Sequence, residues 1–78
     1  MESEQEEVIE ETIAELEKSY YKYDISFHSD NEAWGTIDME SQEAREAIHA
    51  RDYQSAYDEC IQVAAMGIKA AMYFKDKK

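Results

Sequence analysis

From Cys60 to Phe74 the chain runs for fifteen residues in which only Gln62 and Lys69 are strongly polar. Wound as a helix, such a segment is apolar nearly all round, so it cannot lie on a surface with one face in water; it belongs in the middle of a helical bundle. It is too short and too interrupted to cross a bilayer. Proline is absent and glycine occurs only at Gly35 and Gly67, while Glu, Ala, Ile, Met and Lys are plentiful, so few positions oppose helix. The composition therefore predicts an all-α chain.

With 78 residues the chain makes one domain, residues 1–78, and a domain of this size buries only about 60–65% of its unfolded surface. Three helices from one chain scarcely surround an apolar third helix. A second copy is expected to cover the face left over, and the small residues Ala64, Ala65, Gly67, Ala70 and Ala71 would admit close helix contact.

Capping signals and apolar spacing place the helices at about 4–23, 30–50 and 53–75. The first opens on Ser3-Glu-Gln-Glu6, which has the form of a capping box, and repeats its apolar residues at Ile9, Ile13, Leu16, Tyr20 and Tyr23. Glutamates crowd its first turns and Lys18 and Lys22 its last, which suits the helix dipole. Asp24 to His28 reads as a connector. A second capping box, Ser29-Asp-Asn-Glu32, starts the next helix, with Trp34, Ile37, Ala44 and Ile48 in rhythm. Gly35 in its first turns implies the close approach of another backbone or a ligand. Arg51-Asp52 breaks the second half, with Asp52 as the N-cap of the third helix.

The formal charge of −11 is unevenly placed: eight glutamates and no basic residue lie in residues 1–17, whereas the last ten residues carry +3. A chain of this kind does not bind nucleic acid through a general basic surface. Its acidic first helix reads as a solvated face, or alternatively as a surface for a protein partner. One cysteine cannot form an internal disulfide, and no charged segment followed by an apolar one opens the chain, so a cytoplasmic location without a membrane is expected. Cys60 lies in the apolar helix and is expected to be a buried thiol.

Residues three apart share a helix face, so Glu40 with Glu43, and Glu59 with Gln62, each aim two oxygen-bearing side chains the same way. Glu40 and Glu43 lie at the edge of the apolar stripe, where carboxylates are costly unless paired or bound to a cation; Glu59 could face the same space from an antiparallel helix. Such oxygens suit a hard cation such as Mg²⁺ held against a phosphate. Gln62 fits equally a core glutamine or an amide that orients a ligand or a water. Trp34 and the tyrosines are core or interface residues by default, with Trp34 placed to stack on a base. Lys69 can offset phosphate charge, although a lysine in such a helix ordinarily snorkels to the surface. His28 and His49 lack the company that zinc requires, and no Walker-type loop, Ser/His/Asp order or CxxC pair is present.

Phe27-His-Ser-Asp-Asn-Glu-Ala-Trp-Gly35, Met39-Glu-Ser-Gln-Glu43 and Glu59-Cys-Ile-Gln-Val-Ala-Ala-Met66, with Lys69 following, resemble the small MazG-like members of the all-α nucleoside triphosphate pyrophosphohydrolase superfamily, many of them bacterial or from phages. The resemblance implies a homodimer or homotetramer that binds Mg²⁺ and splits a nucleoside triphosphate into monophosphate and pyrophosphate. Glu40, Glu43 and Glu59 match metal-ligand positions and, with Gln62, catalytic ones; Trp34 and Lys69 would bind the nucleotide. Gln62 stands where the better-known enzymes have Asp, and Met39 where a second glutamate often precedes the pair. Fewer carboxylates lower cation affinity, so a degenerate relative that only binds nucleotides is a second expectation. From another class, the acidic helix would serve a non-catalytic interaction protein, such as a phage-encoded inhibitor or nucleic-acid mimic.

Overall fold

The computed structural model describes residues 2–78, and among them every regular element is helical. Helix α1 spans Glu2–Lys22, α2 Asp30–His49 and α3 Tyr53–Lys75, each boundary within two residues of its expected place. Ser29, in extended backbone, accepts the amide N–H of Glu32 at 3.1 Å and so caps α2. The Glu32 carboxylate reaches back as expected, but it accepts the amide of His28, at 3.1 Å, rather than that of Ser29. At α3 the Asp52 carboxylate accepts from the Ser55 amide at 3.2 Å and from its hydroxyl at 2.8 Å. Between them the chain reverses through Arg51 at φ 58°, the left-handed conformation that makes so short a turn possible. The capping box at Ser3 does not form, because α1 begins at Glu2 and Ser3 is itself helical.

Helix α3 is the spine. Helix α1 runs parallel to it, with the Tyr57 hydroxyl donating to Glu11 and the Gln62 amide to Glu15 one register further along. The charged acceptor at Glu11 pushes the Tyr57 phenol up to about 12. Helix α2 runs antiparallel, its first residue tied to the far end of α3 by the Tyr73 hydroxyl, which donates to Asp30 at 2.9 Å. Leu16, Phe27, Ala33, Ala65, Met66 and Ala70 form the core, with Tyr20, Ile37 and Tyr73 packed against it. Alanines at the crossing let α2 approach α3 closely. Phe27 anchors the α1–α2 connector by burying its ring. Helices α1 and α2 each pack on α3 and not on each other, which leaves a cleft between them floored by α3.

Four expectations are corrected. The buried stripe of α1 is Thr12, Leu16 and Ser19, whereas Ile9 and Ile13 remain 48% and 44% exposed. Thr12 and Ser19 are tolerated inside because their hydroxyls donate to the carbonyls of Val8, at 2.8 Å, and Leu16, at 2.6 Å. Cys60 is exposed rather than buried, since it lines an open groove between α2 and α3 with Ala44, Ile48 and Val63 instead of facing the core. Gly35 meets no close neighbour: a Cβ there would have open space for 4 Å. Lys69 does not snorkel and is only 3% exposed.

Candidate functional site

The cleft between α1 and α2 encloses about 1050 Å³ and is lined by charged residues from all three helices. Its carboxylate end is built from two helices whose local sequence fixes the geometry. On α2 Glu40 and Glu43 stand one turn apart, between half-buried Ile37 and buried Ala44, at the edge of the face that packs on α3. On α3 Glu59 precedes buried Ile61 and lies opposite them because the two helices are antiparallel. One ligand oxygen from each of Glu40, Glu43 and Glu59 falls within 4.8 Å of the others.

Oε2 of Glu59 is buried and has no hydrogen-bond partner. Burial first, then hydrogen bonding and charge from Glu43, with Glu40 adding to both, pushes the Glu59 carboxyl up to about 7. Burial and the charge of Glu43 also raise Glu40. Near neutral pH the cluster therefore shares a proton, because three carboxylates at this spacing cannot all ionise cheaply. A divalent cation answers the same electrostatic need. In an octahedral Mg²⁺ site neighbouring ligand oxygens are about 3 Å apart and opposite ones about 4 Å, so oxygens up to 4.8 Å apart would have to draw together to share an ion. The three side chains thus fit a hard cation in number, charge and donor type.

Gln62 lines the same cleft one turn beyond Glu59 and donates its amide to Glu15 of α1. That bond orients the Gln62 carbonyl away from Glu15 and makes Glu15, itself bridged to Lys18 at 3.8 Å, a fourth acidic wall. Lys69 lies at the other end of the cleft floor, its Nζ 5.1 Å from the ring centre of Phe27 and 6.0 Å from those of Tyr20 and Tyr23. Trp34 stays apart. It is 66% exposed and does not line the cleft, whose α2 wall is made by Thr36, Met39, Glu40 and Glu43.

Of the residues singled out in the sequence, the fold gathers Glu40, Glu43, Glu59 and Gln62 at one end of a cleft, puts Lys69 at its other end and leaves Trp34 outside. Glu15 and the ring wall of Tyr20, Tyr23 and Phe27 are additions. A signal for Glu15 exists in hindsight: it shares a helix face with Thr12, Leu16 and Ser19, the stripe that α1 buries. No protein-family model matches the chain, and no curated protein or solved structure matches it either.

Proposed function

We propose that the chain is a Mg²⁺-dependent nucleotide pyrophosphohydrolase of MazG type, or a nucleotide-binding relative of it, acting as an oligomer. The observation that carries this reading is the convergence of Glu40, Glu43 and Glu59 within 4.8 Å around a buried, unpartnered carboxylate oxygen. Mg²⁺ bound there would supply Lewis acidity to a phosphoryl group. The chain's own carboxylates hold the cation, buried Met66 supplies an apolar patch of the cleft floor, and the Gln62–Glu15 bond orients the wall. Glu59, poised to hold or release a proton near neutrality, is the residue for acid–base work when it is not a ligand.

Surface area supports the oligomer. A folded monomer of 9.1 kDa exposes about 4,900 Å², whereas this chain exposes 5957 Å². The surplus of about 1,000 Å² is what one partner contributes to a standard interface. Exposed hydrophobic side chains on both helices, Ile9 and Ile13 of α1 and Ile68 and Met72 of α3 among them, contribute part of it. The acidic start of α1 and the basic end of α3 sit at opposite ends of the bundle, so an antiparallel pair of chains would bring opposite charges together.

The test of catalysis is pyrophosphate release from a nucleotide panel with and without Mg²⁺. Turnover should require the metal and fall by about a hundredfold or more in Glu40→Gln/Glu43→Gln; turnover unchanged in that variant rejects the site. One observation favours a second reading, a non-catalytic interaction protein: residues 2–10 of α1 are exposed throughout, with Val8 and Ile9 among the glutamates. Deleting residues 1–11 separates the two, since it should abolish partner capture and spare a site on α2 and α3.

A further inference from the structure

Lys69 is buried without an anion. In a chain of 19 acidic and 8 basic residues, its Nζ forms no ion pair or hydrogen bond among the described residues and meets ring faces instead: Phe27 at 5.1 Å, and Tyr20 and Tyr23 at 6.0 Å. Ring faces offset only part of what an ammonium loses on leaving water. Lys22 also lies near the Tyr23 ring, 5.6 Å from its centre, and likewise forms no ion pair among the described residues. The acids nearby are otherwise engaged. Asp24 and Glu32 lie 2.6 Å and 3.6 Å from the two nitrogens of His28, and Glu15 takes Lys18 and Gln62. Both Lys22 and Lys69 line the cleft, so an entering ligand can reach them. Ten residues of α3 separate Lys69 from Glu59, about 15 Å along the axis, too far for one small ion to serve both ends.

We propose that Lys69 on the floor and Lys22 at the rim form an anion subsite that takes a phosphate group, at the end of the cleft remote from the carboxylates. Two compact ammonium groups with three donors each suit a multiply charged tetrahedral anion better than a single carboxylate. Phe27, itself buried, lowers the local polarity on one side of the Lys69 ammonium and strengthens the attraction. The inference leans on the nucleotide reading only for what fills the opposite end of the cleft; the anion itself needs no metal.

The experiment is calorimetric titration of inorganic pyrophosphate into the full chain, stripped of metal and held at constant ionic strength. Saturable binding is expected, weakened by about tenfold or more in Lys69→Met and kept within about threefold in Lys69→Arg. Glu40→Gln/Glu43→Gln should bind pyrophosphate at least as well as the unaltered chain. No saturation in the unaltered chain, or equal affinity in Lys69→Met, overturns the proposal. Should Lys69→Met not fold, side-chain NMR of the unaltered chain decides: pyrophosphate must shift the Lys69 Nζ and Hε signals, and shifts confined to Lys75, Lys77 and Lys78 overturn the subsite. Loss of Mg²⁺-dependent turnover with metal-free pyrophosphate binding intact would defeat the proposed catalysis and leave this subsite standing.

Discussion

The two ends of the cleft solve the same problem in opposite ways. At one end three carboxylates crowd together, and burial first, then hydrogen bonding and charge from the other two, raise Glu59 to about 7. At the other a single ammonium is taken out of water and faced with three aromatic rings. The first arrangement is adjustable, because its charge changes with pH and with cations. The second is less adjustable, because Lys69 forms no ion pair among the described residues and meets ring faces instead. Both arrangements take charge partly out of water, at a cost to the stability of a short α-helical chain.

The contrast can be broken by exchanging the charges. Lys69→Glu places an acid against three ring faces whose π-electrons repel it and should cost about 3 kcal/mol or more, read as loss of the urea unfolding transition or a steep fall in its midpoint. Lys69→Met keeps the packed stem and removes the buried charge, and should change stability by less than about 1 kcal/mol in either direction. A large loss in the methionine variant would show that the ammonium itself, not the stem, holds that end together.

The carboxylate end can be sharpened with pH. Glu59 binds its proton more tightly folded than unfolded, so the fold should lose stability as pH rises from about 4.5 through 7 and level off above that. Thermal melts without divalent cations should follow this course, and millimolar Mg²⁺ should restore the loss at pH 8. Glu59→Gln should remove both effects and stabilise the metal-free chain at pH 8 by about 1 kcal/mol. A melting temperature that ignores both pH and Mg²⁺ would take the cation site away. The smallest effect is expected at exposed Cys60, next to Glu59 in the chain but outside the cleft: Cys60→Ser should alter monomer stability by less than about 0.5 kcal/mol. The native thiol should react readily with a disulfide reagent in dilute solution and more slowly at concentrations where chains pair.

Much of this fold was legible because its signals are local. The caps at Ser29 and Asp52, the breaker at Arg51-Asp52 and the two three-residue acidic spacings act within a turn of where they are written. They fixed the helix ends and brought Glu40, Glu43 and Glu59 onto facing helices. What could not be read is rotation. Ile9 and Ile13 lay down a clear apolar rhythm, yet α1 turns Thr12 and Ser19 inward, since their hydroxyls satisfy themselves on their own backbone and the narrow groove of α3 favours small residues. The same blindness hid Glu15 and misplaced Cys60, which falls in an open groove beside α2 rather than in the core. Trp34 shows it on α2: the tryptophan stands a turn and a half before Glu40, and that spacing places it on a different face.

One feature of the architecture reaches furthest. Because α1 rests on α3 alone, the cleft has a movable wall, and a ligand that bridges Glu40 or Glu43 to Glu15 or Lys22 would clamp that wall to the rest of the molecule. Amide hydrogens of α1 should then exchange with solvent sooner than those of α2 and α3, and slow down most when the cleft is filled, so that tightening of a loosely moored rod would report occupancy.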